Sequence, residues 1–110
     1  MADTVGRLMQ RLGRDRQVLA VTHLAQVAAC AHQHLVVAKA VHDGQTTSDI
    51  REVRDEVRTT EIARMLGGQI TDTSRAHAQA MLATAYAHDT QDAETAPATG
   101  KAPRKRKEAA

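Results

Sequence analysis

The sequence predicts a small α/β domain with short strands, one β-hairpin and about four helices. Apolar residues recur at helical spacing near both ends of the chain, and continuous apolar runs lie between polar segments. An Asp-Gly pair separates two of the predicted strands. The 110 residues fit one domain, but much of the 42% hydrophobic content is alanine, which buries little area. We therefore expect a shallow core and self-association or dependence on a partner surface.

The first helix is indicated by four apolar residues that share one helical face. Val5, Leu8, Met9 and Leu12 follow the i, i+3, i+4, i+7 pattern, which is typical of a face packed on a core. Gly13 follows at a position suited to a C-terminal cap. The helix should therefore end near Gly13.

A buried strand is predicted over residues 18–22, because this apolar run is continuous and too short for a typical helix. Thr22 and His23 lie at its carboxyl end. Helical spacing returns over residues 24–31, which predicts a short helix. The predicted order is therefore strand, polar turn and helix.

An antiparallel hairpin is predicted in the middle of the chain. Residues 35–38 and 46–53 read as strands, and Asp43-Gly44 is a turn signal between them. Arg51, Arg54 and Arg58 are interspersed with acidic residues, which is typical of a solvated face.

Two further helices are expected. The third should begin within residues 55–60 and end at Gly67-Gly68, since glycine commonly follows a helix C-terminus. The fourth is alanine-rich and should begin at one of the capping residues 71–73, then run to about Tyr86. These elements complete a predicted domain over residues 1–88.

Residues 89–110 are predicted to form a disordered basic tail, because they show no hydrophobic periodicity. The cluster at residues 104–107 could contact DNA phosphates or could simply aid solubility. The formal charge of +2 is too balanced to predict a nucleic-acid coat over the whole domain.

Several classes of protein and site are disfavoured. No apolar run approaches the roughly 20 residues of a membrane-spanning helix, and the N-terminus lacks a secretory pattern. Cys30 is the only cysteine, and its spacing to His32 and His34 does not complete a zinc ligand set. We expect a cytoplasmic chain that contacts no membrane and binds no metal itself.

Two strings carry a family resemblance. Residues 17–29 read QVLAVTHLAQVAA, and residues 61–68 read EIARMLGG, followed by Ala76-His77-Ala78. The first string resembles the switch-histidine segment of the RecN family, ATPases related to chromosome-maintenance proteins and ABC transporters. The second is similar to the C-terminal end of that family. The resemblance covers residues 2–87 and implies the C-terminal part of a P-loop ABC-type ATPase head.

The resemblance implies that His23 is a catalytic switch histidine close to the ATP γ-phosphate. A histidine at the carboxyl end of a strand can donate a hydrogen bond to a phosphate oxygen. Thr22 and Gln26 would line the same nucleotide site. The family usually has proline at the position of Ala25, so the turn after His23 could be looser here.

Other motifs of the family's ATP site are missing from the printed sequence. Gly100-Lys101 is followed by Ala102, so no G-x-x-x-x-G-K-[ST] phosphate loop is present. A signature segment and an acid-ended strand are also missing. Family organisation places them upstream of Met1, and phosphoryl transfer depends on them. We expect this chain to be inactive alone, with ATP and Mg²⁺ bound only by the complete protein.

The implied process is recombinational repair of DNA double-strand breaks. The implied partners are the upstream half of the head, a second head on dimerisation, and DNA, which would place the complete protein at the nucleoid. Two alternatives remain open. The chain could be a non-enzymatic protein that docks on a complete head and modulates it, or a DNA-binding module that uses the basic tail.

Overall fold

The part of the chain that is described contains two helices, then two strands, then two more helices. The structure is a computed structural model that describes the backbone of residues 2–95 and the side chains of residues 4–94. In chain order the elements are α1 (Ala2–Leu12), α2 (Ala25–Ala28), β1 (His34–His42), β2 (Gln45–Val53), α3 (Asp55–Met65) and α4 (Asp72–Thr95).

The β-hairpin confirms the prediction from Asp43-Gly44. β1 and β2 pair antiparallel in a register that runs from His34↔Val53 to His42↔Gln45. Asp43 and Gly44 have φ of 52° and 77°, and two-residue hairpin turns of this kind need positive φ at both central residues. The local turn chemistry therefore sets the register of the whole hairpin.

The helices match most of the predicted boundaries. α1 ends at Leu12, directly before Gly13, and α3 ends shortly before Gly67, whose φ is 95°. α2 has only four helical residues and is therefore shorter than the helix predicted over residues 24–31.

α4 is longer than predicted, because it continues through Thr95 instead of ending near Tyr86. The expectation of disorder is therefore wrong for residues 89–95, and residues 96–110 lie outside the described part. The Asp89 carboxylate lies 2.9 Å from Arg14 Nη2 and 3.2 Å from His32 Nε2. These contacts stabilise the end of α4 against the segments that follow α1 and α2.

The predicted strand at residues 18–22 does not form. Within residues 2–95 the sheet contains β1 and β2 alone, and residues 17–22 have no regular structure. Leu19 is 84% exposed and Val21 is 97% exposed. The apolar run predicted a buried strand. A strand needs a neighbouring strand to satisfy its backbone hydrogen bonds, and β1 and β2 pair with each other instead.

The core is small and rich in alanine, as the composition predicted. Its buried members are Ala25, Ala28, Ala29, Ile62, Ala63 and Ala78. Ile62 is the one large side chain found to be fully buried among the described residues. Alanine buries little apolar area, so the hydrophobic stabilisation per residue is low.

The C-terminal end of α2 is capped by Arg58, which reaches over from α3. Arg58 Nη2 donates to the carbonyl oxygens of Ala28, Ala29 and Ala31 at 3.2, 3.4 and 2.8 Å. Burial lowers the pKa of Arg58. The interpretation of Arg58 as part of a solvated face is therefore wrong, since its guanidinium donates hydrogen bonds to carbonyl groups at the C-terminal end of α2.

α1 approaches α2 closely at Gly6. A Cβ atom there would lie 2.9 Å from Cys30 Sγ and 3.0 Å from the Gln26 carbonyl oxygen, so a larger side chain would push the helices apart. One turn later, Gln10 Nε2 donates to the carbonyl oxygens of Cys30 at 3.2 Å and Ala85 at 3.0 Å. α1 thus holds both α2 and α4.

Replacing Arg58 should destabilise the fold. In Arg58→Met the carbonyls of the α2 end lose their charged donor, and we expect the free energy of unfolding to fall by about 1–3 kcal/mol. Urea titration of the whole chain measures this change. Arg54→Met is the control, because Arg54 is exposed and forms its ion pair with Glu52 at the surface. Equal stability of Arg58→Met and the wild type would contradict the capping role.

His34 makes the stability depend on pH. Burial lowers its pKa, the charge of Arg58 lowers it further, and Glu61 partly opposes both. The folded state therefore favours neutral His34, whereas the unfolded chain titrates near pH 6.5. The contribution of neutral His34 to stability is complete above about pH 6.5 and is lost as the pH falls below that value.

We expect His34→Gln to reduce the loss of stability between about pH 7 and pH 5. Urea titrations at a series of pH values measure the slope of the unfolding free energy. His42→Gln, at the exposed far end of the same strand, is the matched control and should retain the wild-type slope. Identical slopes in both variants would contradict the assignment to His34.

Candidate functional site

The predicted site residues lie where the chain turns into α2. Thr22 Oγ1 accepts a hydrogen bond from the Leu24 backbone N–H at 3.0 Å. Leu24 itself is extended, with φ −96° and ψ 121°, and α2 begins at the next residue. The side chain of Thr22 therefore closes a tight turn around His23, in the manner of a hydroxyl that bonds its own backbone two residues on.

The side chains of His23 and Gln26 are both exposed at this turn. Ala25 and Val27, which flank Gln26, are buried, so the inner side of α2 packs while Gln26 remains free to reach a ligand. The structure thus brings Thr22, His23 and Gln26 together at the N-terminal end of α2. Imidazole and carboxamide N–H groups in this position could donate hydrogen bonds to an anion.

Apolar residues that precede this turn, and others on α1, are also exposed. Leu19 and Val21 precede His23 on irregular backbone, and Val5, Leu8 and Leu12 of α1 are each close to half exposed. The apolar spacing thus predicted the α1 helix correctly, but most of its apolar face is half-exposed within the described residues. α1 instead packs through Gly6 and Gln10, for which the apolar spacing gave no signal.

A separate cleft lies elsewhere in the fold. Its walls include Gln10, His32, Arg58, Tyr86 and Asp89, and it contains none of the predicted site residues. Gln10 donates to two backbone carbonyls and Arg58 caps α2, so several of its polar groups already serve the packing of helices. The cleft therefore gives no second candidate for the nucleotide site.

Two kinds of feature are absent from the described residues. No group of three or more His, Cys, Asp and Glu side chains is arranged to hold a metal ion. No helix in the same part of the chain is both long and apolar enough to cross a membrane.

Comparison with known proteins identifies close relatives in sequence. The DNA repair protein RecN of Vibrio cholerae is 46% identical over 85 residues, which are 76% of this chain and 15% of that protein. RecN of Deinococcus radiodurans is 48% identical over 82 residues, or 74% of this chain and 14% of the relative. RecN of Streptomyces coelicolor is 45% identical over 84 residues, which are 76% of this chain and 15% of that protein.

No protein-family model matches the chain. The similarity to the three RecN proteins nevertheless extends over about three quarters of its residues, at close to half identity. The chain spans about 15% of the length of these relatives. It therefore belongs with the RecN-like DNA repair proteins, as the two sequence strings predicted.

Proposed function

We propose that this chain supplies the switch-histidine segment of a RecN-type ATPase head that acts in recombinational repair of DNA double-strand breaks. The observation that carries the proposal is the segment from residue 17 to His23. Its apolar side chains are exposed, and its backbone pairs with neither strand of the described residues. The segment ends at an exposed histidine. Such a segment has the composition of a buried strand without the sheet that would bury it.

Completion of the sheet by an upstream part of the head would bury this segment. Full burial of a leucine or valine side chain contributes about 1.5–3 kcal/mol, and Leu19 and Val21 are almost fully exposed here. The exposed apolar residues of α1 are further area that such docking could bury. Apolar burial therefore favours docking of the missing sheet and offsets part of the free-energy cost of association.

The same docking would place His23 at a ligand-binding edge. Ligands of open α/β sheets bind beyond the carboxyl ends of the strands, and His23 follows directly after the apolar run. We infer that its imidazole donates a hydrogen bond to a terminal phosphate oxygen and loses this partner after hydrolysis. The Thr22 turn holds the His23 backbone, and Gln26 contacts a neighbouring loop or the nucleotide.

The donor set fits ATP better than Mg²⁺. Imidazole and carboxamide N–H groups suit phosphate oxygens, while magnesium prefers carboxylate and phosphate oxygens. Residues 22–26 contain no carboxylate. The metal, when bound, neutralises charge on the phosphates, and in this proposal its ligands come from the upstream half together with the phosphate loop.

We expect purified chain to hydrolyse no ATP alone and to restore hydrolysis when mixed with a separately expressed upstream half. His23→Ala should lower the kcat of the mixture by about 100-fold or more, because a hydrogen-bond donor to the developing charge is lost. His77→Ala is the control, since His77 is another exposed histidine and lies on α4. Steady-state phosphate release measures both variants.

Three outcomes separate the alternatives. Binding of the upstream half without restored hydrolysis would contradict the switch role and favour a docking modulator. Hydrolysis by the chain alone would contradict the argument from the missing motifs. Equal activity of His23→Ala and His77→Ala would remove His23 from the site.

Thr22 provides a test of the turn itself. Thr22→Val keeps the shape of the side chain but removes the acceptor for the Leu24 N–H, so His23 should lose its fixed orientation. We expect the kcat of the mixture to fall by roughly tenfold, on the order expected for a misplaced catalytic group, while binding of the upstream half is retained. Thr22→Ser keeps the acceptor and should recover activity. Failure of serine to recover it would show that the methyl group, and not the turn, matters.

A further inference from the structure

The β1–β2 hairpin presents an open edge that the proposed nucleotide site does not use. Leu35, Val37, Val41 and Ile50 lie on one face of the hairpin and are 45–67% exposed. Within the described residues neither strand has a second neighbour. A lone two-stranded sheet is at best marginally stable in water, so an added strand would stabilise it.

The two outer edges differ in how well they resist pairing. On β1, Lys39 lies in the same row as the apolar residues Val37 and Val41, and a lysine at such a position discourages pairing with another strand. β2 contains neither lysine nor proline, and its nine-residue register has no bulge. The edge of β2 is therefore the more accessible one.

The turn determines which residues of β2 point outward. Its two-residue loop makes His42 and Gln45 a hydrogen-bonded pair, and such pairs alternate along an antiparallel ladder. The N–H and C=O groups of the alternate residues Thr46, Ser48, Ile50 and Glu52 are therefore directed away from β1. These groups are available to a new strand.

We propose that β2 pairs antiparallel with β2 of a second copy of this chain, across a twofold axis at Ile50. This register sets Ile50 against its own copy on the apolar face. It also sets Asp49 opposite Arg51 of the second copy, and the symmetry repeats this ion pair. Asp49 and Arg51 would occupy non-hydrogen-bonded positions, where opposing side chains are closest.

The neighbouring registers are less favourable. A twofold axis at Asp49 would set two aspartates directly opposite each other, and an axis at Arg51 would do the same with two arginines. Both are unfavourable, because like charges directly opposite each other destabilise a sheet. An axis at Ser48 would leave Asp49 opposite Thr47 without a charge partner. Charge complementarity thus selects Ile50 as the centre and a second copy as the occupant.

The pairing can be tested by sedimentation equilibrium of the 110-residue chain over a concentration series. We expect a monomer–dimer equilibrium. Asp49→Arg and Arg51→Asp each replace two attractive pairs by two repulsive ones and should weaken dimerisation on the order of tenfold. Lys39→Glu, on the other strand of the same hairpin, is the matched control and should leave the equilibrium unchanged.

Mixing the variants tests the register. An Asp49→Arg chain and an Arg51→Asp chain restore both ion pairs only in a mixed dimer, so the mixture should associate at least as strongly as the wild type. The double variant D49R/R51D should also recover self-association. A wild-type chain that stays monomeric would overturn the proposal.

Two further results would also overturn it. Single variants that associate like the wild type would show that another surface, such as the exposed stripe of α1, makes the contact. A mixture that associates no better than its parts would exclude the Ile50 register. None of these results depends on ATP hydrolysis, so they leave the proposed role of His23 to its own test.

Discussion

α2 is held in place by the Arg58 guanidinium more than by its own stability as a helix. A helix of four residues is far below the length at which isolated helices are stable, so its place must be imposed by contacts from outside. Arg58 satisfies the carbonyls at its C-terminal end, and Gly6 allows α1 to approach its other side. Since the His23 turn leads directly into α2, these contacts also fix the base of the candidate site.

The features that could be predicted from sequence are those with local causes. Asp43-Gly44 predicts the hairpin because positive φ is a property of the turn residues themselves. Gly67 marks the end of α3 for the same reason. The RecN-like strings identify the family because they match its residues in the same order. Such a match can be found without knowing which residues are in contact in the fold.

The features that could not be predicted depend on distant contacts. Arg58 looks like a member of a charged surface in sequence, yet its acceptors lie about 30 residues earlier in the chain. The end of α4 is held by Asp89 through Arg14 and His32, a contact that no local periodicity shows. The apolar run before His23 predicted a strand that does not form, because pairing requires a neighbouring strand that residues 2–95 do not provide.

We expect residues 17–23 to become a strand only when a RecN-type head is completed. Hydrogen exchange of the backbone amides of this segment tests it most directly, in the chain alone and after mixing with the upstream half. We expect rapid exchange in the chain alone and strong protection in the mixture, with α3 protected in both. Protection in the isolated chain, or rapid exchange in a mixture that demonstrably binds, would contradict it.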